Sequence, residues 1–368
     1  MKNNRIAAMI ICAGYSSRMD DFKPFLKFKE KTAIKRVIDT YMNSGIDDIY
    51  VVVGYKGIEV IEALSDEKVI VVMNEAYDKG MFSSITKGIE ALDEDITAFF
   101  MHPVDIPLVK ENTIRLLINE YINSNKGIII PTFLLDKGHP PLIDCRYKKI
   151  ILNSSGYGGL KRILNVYLED SLLVPVFDEA TLMDMDTKAD YEKLLKYQAI
   201  GTLSRLECHA ILTYYQVPDH IIKHCKTVER LARDIYEHVH KAGFEFNKEE
   251  LLAAALLHDL VRQQKNHAIV GARILSEMGY RNIGAMIGTH MDIEVLDDDH
   301  LSASEILYLA DKLVNEDQIE PLNHRLNQCL MKKGNNNEAI ERINQRFSSA
   351  KTILKKIERL TGEPLIYG

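Results

Sequence analysis

Histidine is nearly absent from the first half of this chain. Of twelve histidines only His102 and His139 precede Gln198, and ten follow it. The two halves are therefore expected to do different chemistry, with imidazole ligands for a metal in the second. No CxxC pair occurs, and the five cysteines (Cys12, Cys145, Cys208, Cys225, Cys329) are scattered and odd in number. That argues against a disulfide scaffold and a thiolate zinc site, and it fits a reducing compartment. A basic excess is also lacking. The formal net charge is −7, with 25 basic and 29 acidic residues up to Tyr197 and 21 and 24 after it. Neither half has the charge of a general nucleic-acid binder. Long hydrophobic runs are missing too. The opening MKNNRIAAMIICAGYSS has one short apolar run, cut off by Gly14 and followed by Arg18. It is too short for a membrane span and has no cleavage-site pattern. A cytoplasmic protein with no membrane or nucleic-acid partner is expected.

The 368 residues suggest two domains, each able to bury a core without disulfides. Up to about residue 199 two periods alternate. Apolar runs at Ile6–Cys12, Ile49–Val53, Val69–Met73, Ala98–Met101 and Gly127–Ile130 read as buried strands. Helical spacing falls between them, at Thr32–Ser44, Gly57–Leu64, Ser83–Leu92 and Asn112–Ile122. Strand-like Pro141–Ile143 and Leu172–Phe177 follow, and a helix at Ala189–Tyr197 closes the unit. This pattern predicts an α/β domain with a mainly parallel, Rossmann-like sheet over residues 1–199. From residue 200 to 368 the strand signals stop, and an all-α domain is expected. Its helices are placed at His220–Lys241, Glu249–Arg262 (N-cap Asn247), Ala268–Met278, Asn282–His290, Ser302–Val314 and Asn337–Leu360. The stretch KKGNNN at Lys332–Asn337 reads as a loop.

The first strand runs into Ala13-Gly14-Tyr15-Ser16-Ser17-Arg18-Met19 and on to Lys23. Such a loop can turn backbone N–H groups onto phosphate oxygens, and Arg18 and Lys23 can neutralise a polyphosphate. Taken alone it is equally a strand–helix turn with two solvated cations. The longer pattern C-A-G-Y-S-S-R-M-x-x-x-K resembles the signature of the MobA-like nucleotidyltransferase family, with Asp20 where that family usually has glycine. Four later segments resemble the family in the same order. They are Asn74 to Gly80-Met81-Phe82-Ser83-Ser84, Pro103-Val104-Asp105-Ile106-Pro107, Gly138-His139-Pro140, and Asp184-Met185-Asp186-Thr187.

The resemblance covers about residues 5–197 and implies nucleotidyl transfer. An acceptor phosphate attacks the α-phosphorus of an NTP and pyrophosphate leaves, with no side-chain nucleophile. It assigns Ala13, Gly14, Ser16, Arg18, Lys23, Asn74, Gly80, Ser83 and Ser84 to the nucleotide. Asp105 and Asp186 fall to Mg²⁺, ahead of Asp184. Arg18, Lys23 and Asp105 are the catalytic set. Catalysis is then positioning and charge stabilisation. The Cys-Ala-Gly form and the GHP segment lean towards CTP, with molybdopterin as the phosphorylated acceptor. Sugar- or alcohol-phosphate acceptors stay open, and His139 is read as an acceptor-side or structural residue.

In the second half the histidines acquire an order: His224, then His258-Asp259 after the apolar run LLAAALL, then His267, His290 and Asp311. A His-Asp pair late in an apolar helix needs polar partners, and a metal supplies them. The set H…HD…H…H…D resembles the HD-domain metal-dependent phosphohydrolase family over about residues 205–325. The resemblance implies one or two ions of Fe, Mn, Zn or Ni. His224, His258, Asp259 and Asp311 form the minimal set, and His267 and His290 the extra ligands of two-metal members. The implied chemistry is hydrolysis of a phosphoester or phosphoanhydride by metal-activated water. Arg262 could meet a substrate phosphate or form a salt bridge. His209, His220, His238, His240, His300 and His324 fit no position. The expectation is a bifunctional enzyme. Its rival is a sugar- or alcohol-phosphate cytidylyltransferase carrying a regulatory, nucleotide-sensing HD domain.

Overall fold

The computed structural model describes residues 4–15, 19, 21–296, 298–332 and 336–365. The chain divides into two compact units, residues 1–199 and 200–368.

The first unit is built on one mixed sheet. Its elements are β1 (Ile6–Cys12), a small hairpin β2 (Lys27–Phe28) and β3 (Lys31–Thr32), α1 (Ala33–Asn43), β4 (Asp48–Val53), α2 (Gly57–Ala63), β5 (Ile70–Met73), α3 (Met81–Ala91), β6 (Ala98–Pro103), α4 (Glu111–Asn123), β7 (Ile128–Phe133), β8 (Asp136–Lys137), β9 (Leu142–Asp144), α5 (Lys148–Leu152), α6 (Gly159–Val166), β10 (Ser171–Pro175) and α7 (Lys188–Ile200). The sheet order is β10-β7-β9-β6-β1-β4-β5, with β8 on β7. The strands run parallel except β9, antiparallel to both β6 and β7, and β8.

Strand β1 lies in the middle and is buried on both faces. Ala8, Ile10 and Cys12 join one core with α1 and α4, while Ala7, Met9 and Ile11 join another with α3, α5 and α6. That two-sided burial is why its sequence is a continuous apolar run rather than an alternating one. In α1 the buried residues Ile34, Val37, Ile38 and Tyr41 follow the one-faced helical spacing. Each such side chain contributes about 1.5–3 kcal/mol by leaving water. Helices α5 and α6 were not anticipated: they have only 5 and 8 residues, too few to set a period apart.

The second unit contains α8 (Arg205–Tyr214), α9 (Asp219–Lys241), α10 (Lys248–Leu257), α11 (His267–Glu277), α12 (Arg281–Thr289), α13 (Ala303–Leu313), a hairpin β11 (Val314–Asn315) and β12 (Gln318–Ile319), α14 (Leu322–Met331) and α15 (Asn337–Thr361). It is helical apart from that hairpin, where the sequence carried no strand signal. Each strand is only two residues long, and the turn lacks glycine: Glu316 itself adopts φ 54°. Helix α10 is buried over all of Leu251–Leu257, so it runs through the core. It also stops sooner than expected. His258 and Asp259 lie in the turn after Leu257, not inside a helix reaching Arg262. The His258 ring takes the Ala255 carbonyl at 2.8 Å, an acceptor that another helical turn would have used. Capping boxes start α8 (Ser204, Glu207) and α13 (Ser302, Glu305). Of the KKGNNN stretch, residues 333–335 lie outside the described residues. Among the described residues no helix is long and apolar enough to cross a membrane.

Candidate active sites

At the carboxyl edge of β1 and β6 is a cleft of about 210 Å³. Cys12, Ala13, Gly14, Lys23, Gly80 and Asp105 are among its lining residues. This is where ligands enter parallel sheets, because the strand ends and the following loops converge there. The Val104 N–H donates to the Ile11 carbonyl at 3.0 Å, which holds Asp105 beside the β1 loop. The Met185 N–H donates to the Asp105 carbonyl at 2.9 Å, and the Met185 side chain is fully buried. That anchor brings the Asp184–Asp186 segment to Asp105.

Lys23 Nζ then lies 2.8 Å from Asp186 Oδ1 and 3.4 Å from Asp105 Oδ2. One ammonium is thus shared by the two carboxylates expected to hold Mg²⁺. Asp184 stands close enough that burial, with the charges of Asp186 and Asp105, raises its carboxyl above the usual range. Burial and the Asp105 charge push the Cys12 thiol up to about 12, so it stays protonated.

Asn74 and Ser83 brace the cleft rather than line it. Asn74 is buried, and its Nδ2 donates to Ser83 and Ser84 Oγ, each at 3.0 Å. Its Oδ1 accepts from the Ala76 N–H at 3.1 Å, while Ser83 Oγ donates to the Gly80 carbonyl at 2.8 Å. This network fixes the turn at Gly80, whose φ of 92° suits glycine, ahead of α3. Ser84, Gly80 and Met81 reach the cleft. Ser16 and Arg18 lie outside the described residues.

His102 was not singled out from the sequence. It is buried at the end of β6, and its Nε2–H donates to the Ile106 carbonyl at 2.9 Å. Its Nδ1 accepts from the Tyr41 hydroxyl at 2.8 Å. Burial lowers its pKa to about 4, so the ring is neutral and pins the Asp105 loop. The buried Nδ1 of His139 has no hydrogen-bond partner among the described residues, and burial lowers this imidazole's pKa too.

The second unit gathers all six expected side chains. His224 comes from α9, His258 and Asp259 follow α10, His267 begins α11, His290 caps α12 and Asp311 sits on α13. His224 Nε2 lies 3.1 Å from Asp311 Oδ1 and 3.8 Å from Asp259 Oδ2. His258 Nε2 is 3.4 Å from Asp259 Oδ2 and 3.5 Å from Asp311 Oδ1. The other Asp259 oxygen faces His267 Nε2 at 3.3 Å and His290 Nε2 at 3.7 Å. Two groups able to hold a metal result: His224, His258 and Asp259, and Asp259, His267 and His290.

The opposite ring nitrogens are committed. Nδ1 of His224 meets the Glu316 carbonyl at 2.8 Å, that of His258 the Ala255 carbonyl at 2.8 Å, and that of His290 the Ile287 carbonyl at 2.7 Å. A carbonyl only accepts, so Nδ1 carries a hydrogen, and Nε2 is the ring nitrogen turned inward towards the carboxylates, where a metal would take it. His258 Nε2 is buried with no hydrogen-bond partner among the described residues. Burial lowers the His290 pKa. Burial disfavours charge on His258 as well, but the nearby carboxylates outweigh it and raise its pKa. Asp311 is held well below the usual carboxylate range despite burial, first by Lys312 and then by His224 and His258.

Lys312 Nζ touches Asp311 Oδ2 at 2.5 Å and the His290 carbonyl at 3.0 Å, a role its place in Ala-Asp-Lys did not reveal. Glu316 was missed because it acts through its backbone carbonyl. Arg262 pairs with Asp259 Oδ2. Of the histidines set aside, His220 lines the adjoining pocket.

Residues 8–172 match the family model of the MobA-like NTP transferase domain, and residues 221–316 match that of the HD domain. The chain thus joins a domain of the nucleotidyltransferase class to one of the HD phosphohydrolase class. Asp186 lies beyond the first match.

Among curated relatives, the bifunctional protein GlmU of Clostridium beijerinckii is 29% identical over 131 residues, 35% of this chain and 29% of that protein. A probable molybdenum cofactor guanylyltransferase of Bacillus mycoides is 26% identical over 126 residues, 34% of this chain and 62% of that protein. The match therefore spans under a third of the GlmU protein. Among solved structures, a nucleotidyl transferase from Methanothermobacter thermautotroptrophicus aligns with a TM-score of 0.48 and 22% identity. That alignment covers 54% of this chain and all of that one.

Proposed function

We propose that the protein is bifunctional. The first domain transfers a nucleotidyl group from an NTP to a phosphorylated acceptor and releases pyrophosphate. The second hydrolyses a phosphoester or phosphoanhydride.

For the first domain, the observation that carries the reading is the Lys23–Asp105–Asp186 cluster beside the Gly14 loop. The carboxylates offer the oxygen donors that Mg²⁺ prefers, and Asp184, its pKa raised by burial and then by the charges of Asp186 and Asp105, stands beside them. A bound Mg²⁺ would supply charge stabilisation at the phosphates. Lys23 offsets part of the charge of the carboxylates and lines the same cleft. A Cβ on Gly14 would meet nothing within 4 Å, so packing does not require glycine; a ligand approaching its N–H would. CTP and molybdopterin are the proposed substrates. Full-length protein with Mg²⁺, each of CTP, GTP and UTP, and either molybdopterin or a sugar phosphate should release pyrophosphate fastest with CTP and molybdopterin. Faster release with a sugar phosphate would transfer the assignment to the rival acceptor class.

For the second domain, the carrying observation is Asp259, whose two oxygens face two separate pairs of imidazoles. Ring Nε2 atoms turned inward, carboxylates between them and a His258 Nε2 with no hydrogen-bond partner among the described residues fit transition-metal ions. His224, His258, Asp259 and Asp311 would hold one ion, and Asp259, His267 and His290 a second. Such ions activate water and polarise phosphate. The residues of this chain orient the rings through Glu316, Ala255 and Ile287, and Lys312 keeps Asp311 ionised. Protein loaded with Mn²⁺ should bind close to two ions and release phosphate from phosphate esters. Stoichiometric metal without hydrolysis, together with altered nucleotidyl transfer in Asp259→Ala, would favour the regulatory alternative.

A further inference from the structure

The family match of the first unit stops at residue 172, before the turn that carries Asp186 and before α7. The Met185–Asp105 bond fixes that turn against Asp105, but it does not reach Lys23. Helix α7 supplies the contact that does.

Lys23 and Asp186 each stand on a short, stiff arm. Lys23 opens a single 3₁₀ turn, Lys23–Phe25, and the Leu26 N–H donates back to the Lys23 carbonyl at 3.2 Å. That turn runs directly into β2. Asp186 precedes a reciprocal cap on α7. The Asp190 N–H donates to Thr187 Oγ1 at 3.2 Å, and the Asp190 carboxylate accepts the Thr187 N–H at 3.0 Å. The Tyr191 N–H then donates to the Thr187 carbonyl at 3.0 Å.

The far ends of the two arms meet at Tyr191. Its hydroxyl donates to the Lys27 carbonyl at 2.5 Å. Its ring stands edge-on to Phe28, with centroids 5.4 Å apart and planes at 89°. Lys23, Lys27, Tyr191 and Asp186 thus close a ring of contacts whose last link is the Lys23–Asp186 pair at 2.8 Å. Phe28 also packs with Met185 and Leu194 in a small core. Such packing is non-directional and tolerates sliding of α7 along the hairpin. The hydroxyl–carbonyl bond is directional and sets the register. Tyr191 is not among the residues that line the cleft, so it acts through Lys27 and the two turns.

We propose that Tyr191 is a positioning residue for nucleotidyl transfer. Its hydroxyl sets the separation of Lys23 and Asp186, and with it the shape of the seat offered to Mg²⁺. The proposal rests on the nucleotidyltransferase reading and adds to it a residue outside the matched domain.

The test follows pyrophosphate release by the full-length protein across a Mg²⁺ titration, with whichever of CTP, GTP or UTP and of molybdopterin or a sugar phosphate wild type uses. Tyr191→Phe keeps the ring on Phe28 and removes only the hydroxyl. It should raise the Mg²⁺ concentration for half-maximal rate at least about fivefold and lower kcat about tenfold, since a misplacement of about 1 Å can cost about 100-fold. In an Asp186→Asn background the same change should cost less than about twofold, because the pair it sets is already broken. A crystal structure of Tyr191→Phe should show Lys23 Nζ drawn away from Asp186. Wild-type kcat and Mg²⁺ dependence in Tyr191→Phe overturn the proposal even if Tyr191→Leu is impaired, because the ring alone then suffices. A lower melting temperature with unmoved Mg²⁺ dependence overturns it too, as does full additivity with Asp186→Asn. If wild type transfers no nucleotide, the nucleotidyltransferase reading fails and the crystal structure decides alone. A parted Lys23–Asp186 pair sustains Tyr191 as the residue that holds it, and an unmoved pair removes that role.

Discussion

The two candidate sites handle charge in opposite ways. In the first, the Lys23 ammonium pairs with both Asp105 and Asp186 and offsets part of their charge, so the chain supplies its own cation. In the second, imidazoles turn Nε2 towards shared carboxylates, and backbone carbonyls hold the Nδ1 of three of them. The first arrangement suits a metal that arrives with a nucleotide and shares the carboxylates with a lysine. The second suits a resident metal, because its ligands are already oriented.

The strongest way to break this contrast is Asp259→Ala. Both proposed ion positions depend on that residue. Metal content by mass spectrometry should fall to background, with affinity down at least about 100-fold, while pyrophosphate release by the first domain is retained. Loss of only one ion would show that the two imidazole pairs do not share the carboxylate.

Asp105→Asn and Asp186→Asn come next. Each should cut nucleotidyl transfer by about 10²–10³, with resident metal unchanged. If either variant is near wild type, that carboxylate only anchors Lys23.

Lys312→Met should destabilise the second unit by about 3–5 kcal/mol, since it leaves buried Asp311 without its ammonium partner. Denaturant titrations with and without Mn²⁺ check this. The ion should restore more stability to the variant than it adds to wild type.

The smallest expected effect is on acid stability of the first unit. His102 is neutral when folded, with a pKa of about 4 against 6.5 for an unconstrained ring. The unfolded chain therefore binds more protons between these values. Stability is fully present above pH 6.5 and is lost as pH falls towards 4, by up to about 3 kcal/mol. The double variant His102→Leu with Tyr41→Phe should flatten this slope in urea titrations at pH 7, 5.5 and 4. An unchanged slope would assign the acid sensitivity to another group.

The strands of the first unit were legible because burial on both faces leaves apolar runs, as in Ile6–Cys12 and Ile49–Val53. The side chains that meet in the second were legible as an ordered set of histidines and aspartates. What escaped notice acts through short elements or through the backbone. The hairpin at Val314–Ile319 has no glycine to announce it, yet its Glu316 carbonyl orients His224. The end of α10 at Leu257 comes where the His258 ring bonds the Ala255 carbonyl, which periodicity does not register. Lys23 was read as a phosphate ligand, and its neighbours as metal ligands; that they meet one another depends on the Met185–Asp105 contact, a tertiary fact. Asn74 and Ser83 matched a motif, but their bonds are spent on shaping the turn.

Lys23 and Asp186 stand 163 positions apart in the chain. During synthesis the Gly14 loop, Lys23 and Asp105 emerge first, and the lysine has only one of its two acidic partners until residue 186 follows. Closing so long a loop is slow compared with forming local helices. The first cleft thus cannot be completed until nearly all of its own unit's chain has been made.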